Sequence, residues 1–153
     1  MKKITILFAV ILMTAAGLKA QNYTTAIGAK FYAGNGSYGG LNIRYNNSDH
    51  TAMEGSLLFG SGSIGLEGLY QYQGPINGVL GLNYFVGGGG LLAFGSGNGK
   101  NSTAFALRLT GGLDYKFTDA PIDLSLGFDP FFYLAPYTSS NLALGIGIRY
   151  VLN

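Results

Sequence analysis

The sequence predicts an all-β protein, an eight-stranded antiparallel up-and-down transmembrane β-barrel preceded by a signal peptide. Charged and polar side chains alternate with apolar ones in eight successive segments of about strand length. Glycine accounts for 26 of 153 residues, aromatic residues for 14% and charged residues for only 10%. After the N-terminal region no apolar run approaches the roughly 20 residues that a membrane-spanning helix needs. Strands must therefore make any crossing, and only a closed barrel pairs all their edges.

The N-terminus has the features of a secretory signal peptide. Met1-Lys2-Lys3 is a basic start, and residues 4–18 form an apolar run that is too short to span a bilayer. We expect a signal peptide over residues 1–20, cleaved after Ala20. A cut after Gly17 is the alternative, because Leu18 is larger than the small residue preferred there. An uncleaved anchor is the other interpretation, which the length of the run disfavours.

Charge and cysteine content exclude several classes of function for residues 21–153, the predicted outer-membrane β-barrel domain. Without Lys2, Lys3 and Lys19, six basic residues stand against seven acidic ones, a formal charge of −1. No basic patch remains for nucleic acid. The absence of cysteine excludes disulfides, thiolate metal sites and a catalytic thiol, and we expect no cofactor.

Each strand is justified by its alternation and by the turn residues that end it. The predicted strands span residues 23–33, 40–46, 52–60, 63–73, 79–86, 103–117, 122–129 and 142–152. In the first four, the outward positions are apolar: Ile27, Phe31, Leu41, Ile43, Tyr45, Met53, Leu57, Phe59, Ile64, Leu66, Tyr70 and Tyr72. Glycine, asparagine, serine and aspartate break the pattern at 34–37, 47–49 and 61–62. Residues 74–78, which include Pro75, are a strong turn signal.

The last four strands are separated by less regular segments. The fifth begins at Val79 and meets four glycines at 87–90, so residues 91–94 either continue it or belong to a loop whose main part is 95–102. The sixth is the clearest, because its apolar positions alternate with Arg108 and Asp114. A tight turn leads to the seventh strand, and an aromatic loop at 130–141 precedes the eighth.

The connections predict an orientation. An even strand number returns both termini to the periplasmic side. The short second, fourth and sixth connections then lie in the periplasm, and the longer ones at 87–102 and 130–141 lie outside. The short third connection, 60–62, is the exception.

Ten charged side chains fall on the inward parity and form the predicted lumen charge network: Lys30, Arg44, Glu54, Glu67, Arg108, Asp114, Lys116, Asp123, Asp129 and Arg149. An Arg or Lys facing lipid at mid-bilayer would cost about 2–4 kcal/mol, which explains the segregation. Five positive and five negative groups favour ion pairing. The lumen is then either a salt-bridged plug or a narrow pore or solute-binding cavity. Inward glycines leave room for the second alternative: Gly28, Gly65, Gly81, Gly127, Gly145 and Gly147.

Candidate sites for chemistry are few. His50 is the only histidine and lies in a turn predicted on the periplasmic rim, away from any nucleophile, so we expect neither a catalytic nor a metal site. Tyrosines near strand ends fit the aromatic girdles of membrane barrels. The seventh connection supplies a candidate extracellular contact loop, whose aromatic residues either pack over the barrel mouth or contact a partner or apolar ligand: Phe131, Phe132, Tyr133 and Tyr137.

Several segments resemble a known group of proteins. Residues 112–117, 120–126 and Asp129-Pro130 resemble the last hairpin of porin-family barrels, and residues 145–152 resemble the β-signal read by the barrel-assembly machinery. The whole domain is similar to the small eight-stranded outer-membrane β-barrel proteins, the OmpX-like and OmpA-transmembrane-like barrels of Gram-negative bacteria. Because the fold alone does not select a function, the resemblance supplies no active site for these residues.

The function expected from this resemblance is non-enzymatic. It is a structural or interaction role in the cell envelope, for instance as an accessory subunit of an envelope complex. The alternative is a narrow channel or carrier for a small solute. The expected partners are outer-membrane lipid, the barrel-assembly machinery during insertion and an envelope protein.

Overall fold

The computed structural model describes residues 24–34, 37–60, 62–97 and 100–152. They form one closed antiparallel barrel in which each strand pairs with its neighbours in sequence and the first pairs with the last. The strands are β1 (Thr25–Gly34), β2 (Tyr38–Ser48), β3 (Thr51–Gly60), β4 (Ser63–Pro75), β5 (Leu82–Gly97), β6 (Lys100–Lys116), β7 (Ile122–Ala135) and β8 (Ser139–Val151). The predicted fold class is confirmed. The predicted signal peptide lies outside the described residues.

The register of the strands fixes the geometry of the barrel. Starting at Arg149 in β8, successive cross-strand partners lead through all the other strands and return to β8 at Ser139, so the register shifts from 149 to 139, by ten residues. Such a stagger accompanies strands tilted by roughly 35–45° to the barrel axis. With eight strands, the interior is only wide enough for side chains to fill it.

Side chains alternate between the two faces of the wall along every strand. The inward positions hold nearly all the buried polar and charged groups, including Arg44, Arg108 and Arg149, each at most 1% exposed. The outward positions form an apolar belt around the barrel, with residues such as Leu66, Leu126 and Ile146 half exposed. This is the reverse of a soluble protein, whose apolar groups are mostly inside. No helix in the described ranges is long and apolar enough to cross a membrane.

Strand β5 is longer than predicted and begins later. It starts at Leu82 rather than Val79, because Gly78 and Gly81 adopt φ of +96° and +83° and shape a turn over residues 76–81. It then continues through the four glycines and residues 91–94 to Gly97, paired with β4 and β6. The alternative in which residues 91–94 continue the strand is therefore correct, whereas the predicted long connection at 87–102 is wrong, because β5 ends at Gly97 and β6 begins at Lys100.

The predicted aromatic loop at 130–141 is also wrong. Strand β7 runs on to Ala135 and β8 begins at Ser139, with Phe132 paired to Ser140 and Tyr133 to Ser139. The physical reason is that Phe131 takes an inward position with only 2% of its surface exposed, so packing inside the barrel stabilises the extension of the strand. Only residues 136–138 connect the two strands.

These extensions leave short connections at both ends of the barrel. We call the end where β1 begins and β8 finishes the near rim; it carries connections 49–50, 76–81 and 117–121. The opposite end, the far rim, carries connections 35–37, 61–62, 98–99 and 136–138. The expectation of longer connections at the far rim is thus wrong, and the lumen becomes the main candidate for a functional site.

Candidate functional site

The lumen contains two groups of ion pairs, one above the other. The first, the near cluster, consists of Lys30, Arg44, Glu54, Asp114, Asp123 and Arg149. Its centre is Arg149, whose Nη2 lies 2.6 Å from Asp123 Oδ1 and 2.7 Å from Asp114 Oδ1. Arg149 Nη1 lies 3.3 Å from Glu54 Oε2. One guanidinium from β8 therefore holds carboxylates from three other strands.

Glu54 is the second hub of the near cluster. Lys30 forms an ion pair with it, Asn42 donates a hydrogen bond to its Oε1 over 3.1 Å and Gln71 donates to its Oε2 over 3.2 Å. Arg44 Nη1 lies 3.6 Å from the same carboxylate. Three cations thus face three anions, which fits the requirement that buried charges be paired and hydrogen-bonded.

The far cluster consists of Glu67, Arg108 and Asp129. Arg108 pairs with Glu67 and, through Nη2, lies 3.2 Å from Asp129 Oδ1. Tyr32 donates its hydroxyl proton to Glu67 over 2.7 Å. Both carboxylates are almost wholly buried, so one guanidinium faces two buried carboxylates.

Ser56 connects the two clusters. Its hydroxyl accepts a hydrogen bond from Asn42 Nδ2 over 3.0 Å and donates one to Glu67 Oε1 over 3.1 Å. Because Asn42 also binds Glu54, a continuous chain of hydrogen bonds runs from the near cluster to the far cluster. Networks of this kind reinforce their members in a medium of low dielectric constant.

An apolar layer closes the lumen on the far side of Arg108. We call it the aromatic cap; its buried members are Tyr32, Leu58, Leu91, Ala106, Phe131 and Ala143, with Tyr38 and Tyr133 packed against them. The rings of Tyr32 and Phe131 meet edge to face with centroids 5.6 Å apart. None of the six buried members retains more than 4% exposure, so they form a close-packed apolar layer between the far cluster and the far rim.

The inward glycines leave little free space. A Cβ placed on Gly145 would lie 3.1 Å from Tyr32 Cε1, one on Gly127 would lie 3.3 Å from Phe85 Cζ, and one on Gly65 would lie 3.0 Å from Leu91 Cδ1. Neighbouring side chains therefore occupy the room that these glycines provide. Gly81 lies in the turn before β5, so it does not widen the lumen at all.

A small polar cavity of about 60 Å³ lies at the near rim. Its lining is Asn46, Ser48, Asp49, Gln73, Asn83, Asp114 and Lys116. Because Asp114 also belongs to the near cluster, the cavity reaches the edge of the charge network. Its volume is suited to a few water molecules.

The residues singled out in the sequence fall in different places. Nine of the ten charged residues lie in the two clusters, and Lys116 is half-buried beside the cavity. Of the predicted contact loop, Phe131 belongs to the cap and Tyr133 packs on it, whereas Phe132 faces outward and Tyr137 is exposed at the far rim. His50 stacks on Tyr72 with ring centroids 5.9 Å apart, at the near rim.

The sequence pattern did not assign the neutral inward side chains to the network. Asn42, Ser56 and Gln71 satisfy carboxylates, and Tyr32 both donates to Glu67 and lies under Arg108. All four lie at the same alternate, inward-facing strand positions as the charged residues, and this alternation is the sequence feature that indicates them. Among the described residues, no group of three or more histidine, aspartate and glutamate side chains is arranged to hold a metal ion.

Two solved structures are similar to this barrel. The N-terminal β-barrel domain of OprF from Pseudomonas aeruginosa aligns with a TM-score of 0.66 at 18% identity, covering 82% of this chain and 96% of that one. Neisserial surface protein A (NspA) aligns with a TM-score of 0.61 at 15% identity, covering 85% of this chain and 96% of that one. No protein-family model and no curated protein matches the chain. The likeness confirms the resemblance to small eight-stranded outer-membrane barrels at the level of fold.

Proposed function

We propose that the protein is an integral outer-membrane barrel that does not conduct and is not an enzyme, with a structural or interaction role in the cell envelope. The observation that carries this proposal is the distribution of charge. Ionic side chains are paired inside the barrel, while the outer wall presents half-exposed aliphatic and aromatic groups. In water such a belt would favour aggregation, whereas in a bilayer it is the required surface.

The filled lumen supports a structural role over transport. A conducting path needs a continuous polar route, but the aromatic cap is almost wholly buried and the ion pairs occupy the section beneath it. At Gly65, Gly127 and Gly145, which were expected to leave room in the lumen, neighbouring side chains fill the space. Outer-membrane lipid and the assembly machinery are the partners this role requires, and an envelope protein is the partner we propose for the interaction role.

Cell fractionation tests the location. We expect residues 1–153, expressed in a Gram-negative host, to be recovered in the outer membrane and to change electrophoretic mobility on heating, as a folded barrel unfolds. The matched control begins at residue 21 and is expected to stay in the cytoplasm, because it lacks the predicted signal. Recovery of the full chain as a soluble periplasmic protein would contradict the proposal.

Planar bilayer recording tests the absence of conduction. The purified barrel should give no current steps. If the lumen is instead a channel, steps should occur and should change when the far cluster is altered by Arg108→Gln or Glu67→Gln. Such a result would replace a structural role by transport of a small solute. Co-purification from native membranes followed by mass spectrometry then tests for an envelope protein partner.

A further inference from the structure

One near-rim connection is apolar, unlike the other two. Connection 49–50 is Asp49-His50, and connection 117–121 contains Asp119. Connection 76–81, which we call the apolar turn, has the sequence Ile-Asn-Gly-Val-Leu-Gly and carries no charge. Its Leu80 is 84% exposed and its Val79 is 50% exposed. The most exposed large aliphatic side chain of the described residues therefore lies in a connection rather than on the belt.

The apolar turn has a defined backbone. Ile76 N donates to Leu82 O over 2.9 Å, and Lys116 N donates to Gly81 O over 2.8 Å, which ties the turn to the end of β6. The positive φ of Gly78 and Gly81 is a conformation that other residues rarely adopt. These hydrogen bonds satisfy backbone groups that would otherwise need water, a condition for placing a turn in a less polar surrounding.

The apolar turn is continuous with the belt. On the outer wall Leu82 pairs in register with Tyr115, whose ring packs edge to face on Phe117 with centroids 4.9 Å apart. Tyr84, two residues further into β5, is half exposed on the same face. An apolar surface thus runs from the belt through these rings to the turn, and tyrosines at this height are typical of a membrane boundary.

We propose that the apolar turn inserts Val79 and Leu80 into the boundary between headgroups and acyl chains of the leaflet at the near rim. The inference rests on the proposed membrane location. Lipid is the occupant because the surface continues that of the belt and because the turn has no charge to desolvate. Apolar side chains of surface-binding segments enter this boundary by roughly 5–10 Å.

Fluorescence quenching tests the proposal directly, because the chain contains no tryptophan. Three single-tryptophan chains are refolded into phosphatidylcholine vesicles whose acyl chains are brominated near the headgroup: Leu80→Trp in the apolar turn, Leu66→Trp in the belt and Thr118→Trp in a polar connection of the same rim. We expect Leu80→Trp to be quenched several-fold more than Thr118→Trp and to emit at shorter wavelength.

The two control variants distinguish failure of this inference from failure of the proposed membrane location. If Leu66→Trp is quenched but Leu80→Trp behaves like Thr118→Trp, the turn lies in water and this inference is wrong, although the membrane location stands. If Leu66→Trp is also unquenched, the proposed function fails. Protection of Leu80→Trp from both bromine and aqueous iodide would mean that protein covers the turn, for example a second copy of the chain, and would overturn lipid insertion.

A second tryptophan position controls for the preference of tryptophan itself for membrane boundaries. Asn77→Trp reports on the turn while Val79 and Leu80 remain native, and the same probe is measured after Val79→Ser and Leu80→Ser are introduced together. We expect quenching in the first chain and at least a twofold loss in the second. Equal quenching in both, or none in either, would overturn the role of these two side chains.

Discussion

The guanidinium carbon of Arg108 lies 3.5 Å from the centroid of the Phe131 ring. The same guanidinium lies 4.5 Å from the centroid of Tyr32 and pairs with Glu67 and Asp129. One cation therefore joins the aromatic cap to the far cluster. This relationship couples the aromatic cap to the pairing of buried charges, because disturbing the cap also disturbs the partner of two buried carboxylates.

Replacing Phe131 should destabilise the barrel although leucine is also apolar. Phe131→Leu removes a desolvated cation–π contact and an edge-to-face aromatic pair, which together are worth about 2 kcal/mol. Urea unfolding in lipid vesicles, followed by electrophoretic mobility, measures the loss of unfolding free energy. Phe132→Leu, at the outward-facing neighbour, should change it by less than about 1 kcal/mol. Equal losses would show that the ring under Arg108 has no special role.

Removing Arg149 should cost more than removing a half-buried cation at the near rim. Arg149→Met leaves Asp114 and Asp123 without their closest cation, and breaking a buried ion pair from one side costs about 3–5 kcal/mol. Lys116→Met, at the half-buried rim, is the matched control and should cost about 1 kcal/mol or less. The same urea titration compares them. A similar small loss for both variants would contradict a central role for Arg149 in the near cluster.

Gly28 should be required for closure of the barrel between β1 and β8. A Cβ on Gly28 would lie 2.6 Å from Arg149 Cα, so Gly28→Ala forces the paired backbones apart. We expect the yield of heat-modifiable barrel to fall at least several-fold. Gly68→Ala adds a Cβ that meets nothing within 4 Å and should assemble normally. Normal assembly of both variants would disprove the steric argument.

A charge on the outer wall should interfere with insertion. Leu66 is half exposed on the belt, and Leu66→Arg should reduce stability in a bilayer by about 2–4 kcal/mol. Leu66→Met keeps the surface apolar and serves as the control. Folding into vesicles is measured by band shift at increasing urea. If the arginine variant inserts as well as the methionine variant, this part of the wall does not face lipid.

The sequence predicted the strands best where the two faces of the wall differ in chemistry. In β2, β4 and β6 apolar positions alternate with amides and charges, so the alternation alone predicts that Arg44, Glu67 and Arg108 point inward. Parity also placed Asn42 and Gln71 inside. It gave no information on which groups meet, because Arg149 and Glu54 are 95 residues apart in sequence and their contact depends on the stagger of the whole barrel.

The predicted ends of β5 and β7 were wrong because polar and apolar residues do not alternate in these parts of the sequence. Glycines 87–90 carry no side chains, so this part of β5 shows no alternation of polar and apolar residues in the sequence. At the end of β7 the lumen itself is apolar, and inward Phe131 looks like outward Phe132 in the sequence. Pro130 is also unusual within a strand, because proline cannot donate a hydrogen bond to a strand ladder.

The aromatic cap and the near-rim cavity make the two ends of the molecule unequal. Because the aromatic cap lies at the far end and a polar cavity at the near rim reaches Asp114, we expect hydrogen exchange in the interior to proceed from the near rim. The ion pairs around Arg108 lie further from the near rim than the near cluster, so we expect them to exchange with solvent last. We also expect them to respond to the solution on the near-rim side. A change in salt concentration or pH on the far-rim side should affect these ion pairs less, because the aromatic cap lies between that side and Arg108.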